Sequence, residues 1–284
     1  MNPTPRLRAL RVLVVAIAAL CVAGCETVLF RFVNRGVGAP DDSIVYAADR
    51  GLSLDVYRPH GGAGGAAPTV VFFYGGAWKR GSRHQYRFVG QRLAAAGMLA
   101  IVADYRTYPR ARFPAFMQDA VDAVAWTRAH AAGYGGDPGR LYVMGHSAGA
   151  QIAGLIGTDA HYLEAAGMRP SDLAGVVGLS GPYDFDVGSE YAAVFGPPGQ
   201  WSKAQAINYV DGDEPPFLLV HGVADRVVEV RDSIELDAKL RRKGGTSTLL
   251  LLHGAGHVAP LAGLYRQERA PEVMPALVLF ISDR

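Results

Sequence analysis

Hydrophobic positions along this chain alternate between short continuous runs and longer segments with helical spacing. Residues 68–74 form a nearly unbroken apolar run, the mark of a strand buried on both faces. Residues 98–103, 139–144, 174–180 and 216–221 read the same way. Between them, residues 85–96, 114–132 and 148–157 carry helical patterns. The first is stopped by Gly97, and the second has its proline near the first turn, where the missing N–H costs nothing. Further on, residues 230–243 predict a helix, 247–252 a strand and 271–282 a last helix. Residues 43–47 and 52–58 predict an antiparallel hairpin around Asp49, Arg50 and Gly51. Strands alternating with helices predict an α/β fold, a mostly parallel sheet with helices on both faces. Residues 181–215 break the alternation with a loop-like stretch rich in aromatic rings, among them Tyr183, Phe185, Tyr191 and Trp201.

The start of the chain does not belong to this pattern. Arg6, Arg8 and Arg11 precede an uncharged apolar run over residues 12–23, which reads as a targeting segment and is short for a membrane-spanning helix. The run ends in Val22-Ala23-Gly24-Cys25, which resembles the lipobox of bacterial lipoprotein precursors. That resemblance implies cleavage before Cys25, lipidation of that cysteine, and a protein anchored on the periplasmic side of a membrane in the bacterial cell envelope. An ordinary secretory signal or an uncleaved anchor is the alternative. The expected organisation is a signal peptide over 1–25, a tether over 26–42 and one domain over 43–284. In the tether, residues 27–33 read either as a segment lying on lipid or as a strand or coil packed on the domain. Cys21 and Cys25 are the only cysteines, so a chain beginning at Cys25 has no intrachain disulfide.

Composition changes this picture little. With 50% hydrophobic and 19% charged residues in 284, the chain can bury a large core. The formal charge is +2, but without the three leading arginines 25 bases stand against 26 acids. That balance gives no reason to expect a nucleic-acid partner.

The chemistry centres on Gly145-His146-Ser147-Ala148-Gly149, set between a predicted strand and a predicted helix. This is the layout of a nucleophile elbow, a strained turn that exposes a serine. In a chain with 35 glycines the pentad is not specific by itself, so its partners decide. A serine needs a base within hydrogen-bond reach, and the base needs a carboxylate that fixes its tautomer. Elbow folds place these in the order Ser, acid, His. Downstream of Ser147, His257 lies in a glycine-containing loop just after a strand, where a catalytic histidine belongs. His253, at the strand's own end, reads as structural, and His221 closes a strand ahead of the acid. Asp225 follows the strand over 216–221, at the sheet edge where catalytic groups gather. Asp184 is its rival, with Asp232 and Glu229 behind. A tetrahedral intermediate also needs N–H donors: one from Ala148, others from the Tyr74-Gly75-Gly76-Ala77-Trp78 loop.

Taken in order, that loop, Asp104-Tyr105-Arg106 with Phe113-Pro114, Tyr134-Gly135-Gly136-Asp137-Pro138, the elbow pentad, and His221-Gly222 with Asp225 resemble the α/β-hydrolase superfamily. Within it they are similar to esterases with a His-Gly-Gly-Gly-Trp-type oxyanion loop, of the feruloyl-esterase-like, kynurenine-formamidase-like and hormone-sensitive-lipase-like kinds. The resemblance covers about residues 43 to 284. It implies an α/β-hydrolase fold with Ser147 as nucleophile, Asp225 and His257 as its partners, and Gly76, Ala77 and Ala148 as oxyanion donors. It also implies a short aromatic cap over 181–215, and Asp104, Tyr105 and Arg106 bracing the loop. Trp78 reads either as a substrate contact walling the acyl pocket or as core, and Tyr183 as one of the cap rings that either contact substrate or bury themselves on the sheet. Tyr74 stands where relatives have the loop histidine, and Ala77 where they have the third glycine. The expected activity is hydrolysis of small-molecule carboxylic esters through an acyl-enzyme. The alternatives are an amide hydrolase or an inert surface-anchored binding protein on the same scaffold. No metal-ligand spacing, phosphate loop or dinucleotide fingerprint is present, so no metal and no cofactor is expected.

Overall fold

A computed structural model describes residues 30–61 and 65–282. The targeting segment, with Cys25, lies outside the described residues. The chain divides into two compact units between Val37 and Gly38. In the first, residues 30–33 are helical, which is not the strand or coil that was one of the two readings of this stretch.

The second unit is built on one eight-stranded sheet. Its strands are β1 (Asp42–Ala47), β2 (Leu52–Tyr57), β3 (Ala67–Phe73), β4 (Leu99–Ala103), β5 (Gly136–His146), β6 (Gly175–Leu179), β7 (Phe217–Gly222) and β8 (Ser247–Leu252). They lie in the order β1-β2-β4-β3-β5-β6-β7-β8. Only β1–β2 and β2–β4 pair antiparallel; every pair from β4 to β8 is parallel. This is the α/β architecture expected from the sequence. The apolar runs become central strands because both faces are covered, and β4, β6 and β7 are buried throughout.

The helices are α1 (Arg87–Ala95), α2 (Ala115–His130), α3 (Ala148–Thr158), α4 (Ala160–Glu164), α5 (Ala192–Phe195), α6 (Val230–Arg242), α7 (Ala259–Tyr265) and α8 (Val273–Ser282). Every residue of α3 is buried, which explains its small, apolar and Gly-rich composition. Two short helices depart from the sequence expectation. α4 follows the elbow helix directly, and α7 carries Pro260 near its start, where a proline is tolerated. α7 begins two residues after His257, so the loop holding that histidine is closed on both sides by regular structure. The expected cap, residues 181–215, is neither long helix nor open loop; it contains α5 and two 3-10 segments, Pro198–Ala204 and Ala206–Tyr209. Among the described residues no helix is long and apolar enough to cross a membrane.

Candidate active site

The turn from β5 into α3 explains its own sequence. Ser147 sits at φ 54° and ψ −120°, a conformation that L-residues adopt only under strain. A Cβ at Gly145 would stand 2.1 Å from Gly149 O, and one at Gly149 would stand 2.0 Å from Phe73 O. Both contacts are with backbone, so neither position accepts a larger residue without moving the sheet. The result puts Ser147 at the C-terminal edge of the central strands, with its N–H bonded to Leu179 O.

The parallel strands carry the other groups to the same edge. Ser147 Oγ lies 2.9 Å from His257 Nε2, and His257 Nδ1 lies 2.7 Å from Asp225 Oδ2. A carboxylate oxygen only accepts here, so Nδ1 carries the proton and Nε2 is free to accept from the serine hydroxyl. Asp225 Oδ1 takes N–H donors from Val227 and Val228 at 2.8 and 3.0 Å. Burial works to raise the Asp225 pKa, but those N–H groups and His257 hold it below the ordinary carboxylate value. Asp184, the rival acid, instead donates its backbone N–H to Asp232 Oδ1 at 2.7 Å.

Two further histidines pack around this set, and sequence reasoning gave neither a part in it. His221 is fully buried, with Nε2 3.1 Å from Asp225 Oδ2 and Nδ1 2.7 Å from Ser233 Oγ. The signal available was its i, i+4 spacing to Asp225 across the Gly222 turn. His146 points Nε2 at His257 O, 3.2 Å away, while its Nδ1 is buried without a partner. Burial pushes the His146 pKa down to about 3, with the nearby His257 adding to the effect. Gly75 makes room for this ring: a Cβ there would lie 2.8 Å from His146 Nδ1 and 3.1 Å from Ser147 Cβ.

The Tyr74–Trp78 loop passes over the elbow in a strained path. Ala77 and Trp78 hold φ of 54° and 57°, and at Gly76, with φ 139°, a Cβ would stand 2.1 Å from Arg80 O. Ala148 opens α3, so its N–H has no carbonyl one turn back to bond. Tyr74 turns its ring away from the cleft. It stacks on Tyr105 and Tyr86, and its hydroxyl meets Asp104 Oδ1 at 3.1 Å. Tyr105 OH returns a bond to Tyr74 O at 2.8 Å, and Asp104 pairs with Arg83. Asp104 and Tyr105 therefore brace the loop, while Arg106 is bound to Asp119.

A cleft of about 200 Å³ opens over Ser147. Ala77, Trp78, Pro182, Phe185 and Tyr191 line one part of it, and Val227, Val228, Glu229 and Asp232 another. Trp78 is both wall and core. Its ring stacks on Phe185 at 5.4 Å and meets Tyr191 and Phe195 edge-on, while Nε1 donates to the buried Gln151 at 3.0 Å. Tyr183 does not line the cleft. It is fully buried, with its ring against Gly154 and its hydroxyl against Gly178 and Gly181, where any Cβ would collide with it. The turn after β6 drives that residue inward, and Phe185 and Tyr191 take the cleft positions expected of it. Asp232 lies at the buried end of the cleft. Burial pushes its pKa up to about 6, against the pull of N–H groups from Asp184 and Tyr183.

Esterase LipC of Mycobacterium tuberculosis is 32% identical over 235 residues, covering 75% of this chain and 58% of the relative. Esterase LipQ of the same organism is 30% identical over 262 residues, covering 85% and 62%. This chain thus spans about six-tenths of the length of those relatives. Among solved structures, a propionate-bound esterase from Thermogutta terrifontis superposes with a TM-score of 0.71 at 24% identity, over 84% of this chain and 93% of that one. A truncated carbohydrate esterase from gut microbiota gives 0.73 at 23%, over 87% and 99%. These likenesses establish the α/β-hydrolase fold. The BD-FAE family model matches residues 54–240, from β2 into α6. It takes in the glycine loop, the elbow and Asp225 and stops short of His257, and on that match this chain belongs to the BD-FAE family.

Proposed function

We propose that this protein is a serine hydrolase that cleaves carboxylic esters through an acyl-enzyme. The observation that carries the reading is the continuous line from Ser147 Oγ through His257 to Asp225, at 2.9 and 2.7 Å, beneath an open cleft. The esterase names of the relatives support it. As Ser147 Oγ attacks the ester carbonyl, its proton passes to His257 Nε2. Asp225 stabilises the resulting imidazolium without taking the proton. The N–H groups of Gly76, Ala77 and Ala148 receive the oxyanion. His257 then gives its proton to the departing alkoxide, and the alcohol leaves. Water, deprotonated by the same nitrogen, then attacks the acyl carbon; the acyl–Oγ bond breaks, His257 returns the proton to Ser147 Oγ, and the carboxylic acid leaves. Trp78, Phe185 and Tyr191 form the apolar wall for the acyl or alcohol group.

Cys25 as the lipidated residue, and a place on the periplasmic side of a bacterial membrane, belong to the same proposal. Their support is the sequence of the leader alone.

The decisive experiment is Ser147→Ala with p-nitrophenyl acetate and butyrate. Activity is expected to fall by about 10⁴-fold or more, and labelling by a fluorophosphonate probe is expected to vanish. Retained turnover by a folded Ser147→Ala protein overturns the reading.

A further inference from the structure

Asp225 Oδ2 receives two imidazoles. One is His257, at 2.7 Å; the other is His221, at 3.1 Å on its Nε2 side. His221 Nε2 also faces Val228 O at 3.3 Å, so both groups on that side are acceptors. The nitrogen between them must carry the proton, which leaves Nδ1 as an acceptor. Ser233 Oγ lies 2.7 Å from Nδ1 and satisfies it as a donor. His221 and Ser233 are both fully buried, so neither bond is open to bulk solvent. A hydrogen-bonded line therefore runs Ser233, His221, Asp225, His257, Ser147, across β7, α6, the β8–α7 loop and the elbow.

We propose that His221 is a positioning residue for the reaction. Backed by Ser233, its Nε2–H holds Asp225 Oδ2 in place and divides that oxygen's charge between two rings. This rests on Ser147, His257 and Asp225 being the working set. The carboxylate has four donors in all, two backbone N–H groups on Oδ1 and two imidazole N–H groups on Oδ2. The Oδ1 pair fixes where the carboxylate sits. The Oδ2 pair sets how much of its charge His257 feels. Burial lowers the His221 pKa, so this ring stays neutral and does not compete with His257 for the ion pair. Ser233 matters because the other tautomer would aim an Nε2 lone pair at the carboxylate.

The test compares His221→Phe, His221→Gln, His221→Asn and Ser233→Ala on a short acyl ester. Glutamine carries an amide nitrogen as far from Cα as Nε2; asparagine reaches only as far as Nδ1. His221→Phe and His221→Asn should lower kcat by about 10- to 100-fold, the worth of one charge-assisted hydrogen bond, with KM within about twofold. The acid limb of their kcat/KM profile should move to higher pH, because the carboxylate's undivided charge holds a proton on His257 more firmly. His221→Gln should recover kcat to within a few-fold and return the acid limb to its wild-type position. Ser233→Ala should show the same direction at about 2- to 5-fold. A role in packing alone would hurt Gln as much as Asn and leave the limb unmoved, and that pattern overturns the proposal. So does wild-type kcat in a folded His221→Phe protein. If His221→Phe does not fold, the Gln and Asn pair with Ser233→Ala decides by the same criteria. An active Ser147→Ala protein would instead overturn the reading of the working set, which keeps the two failures distinct.

Discussion

The two sides of the cleft are built differently. On one side, Ser147, His257 and Asp225 sit on turns beyond the ends of parallel strands, His221 sits in the last residues of β7, and the four are joined by side-chain hydrogen bonds of 2.7–3.1 Å. On the other, residues 181–215 fold into a one-turn helix and two 3-10 segments with no strand among them. That segment is held by scattered ties: Gln205 to the backbone of Phe185, Gln151 to Ala204 O, Lys239 to Ile207 O and Lys79 to Glu190 O. The sheet edge fixes atoms to within the tolerance that proton transfer needs. The cap supplies shape, through rings packed on Trp78. Changes on the sheet side should therefore reach kcat, and changes on the cap side should reach substrate preference.

The largest expected effect sharpens that contrast from the sheet side. Asp225→Asn puts an amide among four donors and presents His257 with the wrong partner. A loss of about 10⁴-fold in kcat is expected, with KM little changed. Equal loss in KM, read in steady-state assays, would break the contrast. On the cap side, Phe185→Ala removes the ring stacked on Trp78 at 5.4 Å. The expected result is about a 10-fold fall in kcat/KM for aryl or long-chain esters, and less for acetate. A uniform fall in kcat across substrates would show that Phe185 supports the oxyanion loop instead.

The smallest effect is on stability and divides the same way. His146, behind the elbow, has its pKa pushed down to about 3, so below about 6.5 the unfolded chain gains a proton that the folded one refuses. Its contribution is intact above that pH and is lost as pH falls, by about 2 kcal/mol between pH 7.5 and 5. His221 acts in the same direction. Asp232, under the cap, has its pKa pushed up to about 6, so the folded state takes up its proton first. Stability from that group rises as pH falls, by about 1 kcal/mol over the same range. Urea melts at the two pH values should show His146→Gln losing less stability than wild type, or gaining it, at pH 5. Asp232→Asn should lose more. Parallel behaviour of the two variants would break the assignment.

Much of the site was legible because its constraints are local. A strained turn with no space at two flanking positions demands glycine, so the elbow pentad announces itself in sequence. The order of Ser147, Asp225 and His257 follows from strand–helix alternation, which the hydrophobic runs carry openly. Tyr183 shows where such reading ends. An aromatic residue after β6 looks the same in sequence whether its ring faces a cleft or fills the space over Gly178 and Gly181. The short helices α4 and α7 are similar cases: five to seven residues carry too little periodicity to declare themselves.

By itself, then, the sequence determined the strands, the elbow and which side chains of the working set lie at one sheet edge, because backbone geometry and burial impose them residue by residue. Only the tertiary structure decided the partners. That His221 shares an oxygen with His257, that Trp78 is wall and core at once, and that Phe185 replaces Tyr183 at the cleft depend on elements far apart in the chain. Those contacts are set by packing, and packing has no signature in any one stretch of residues.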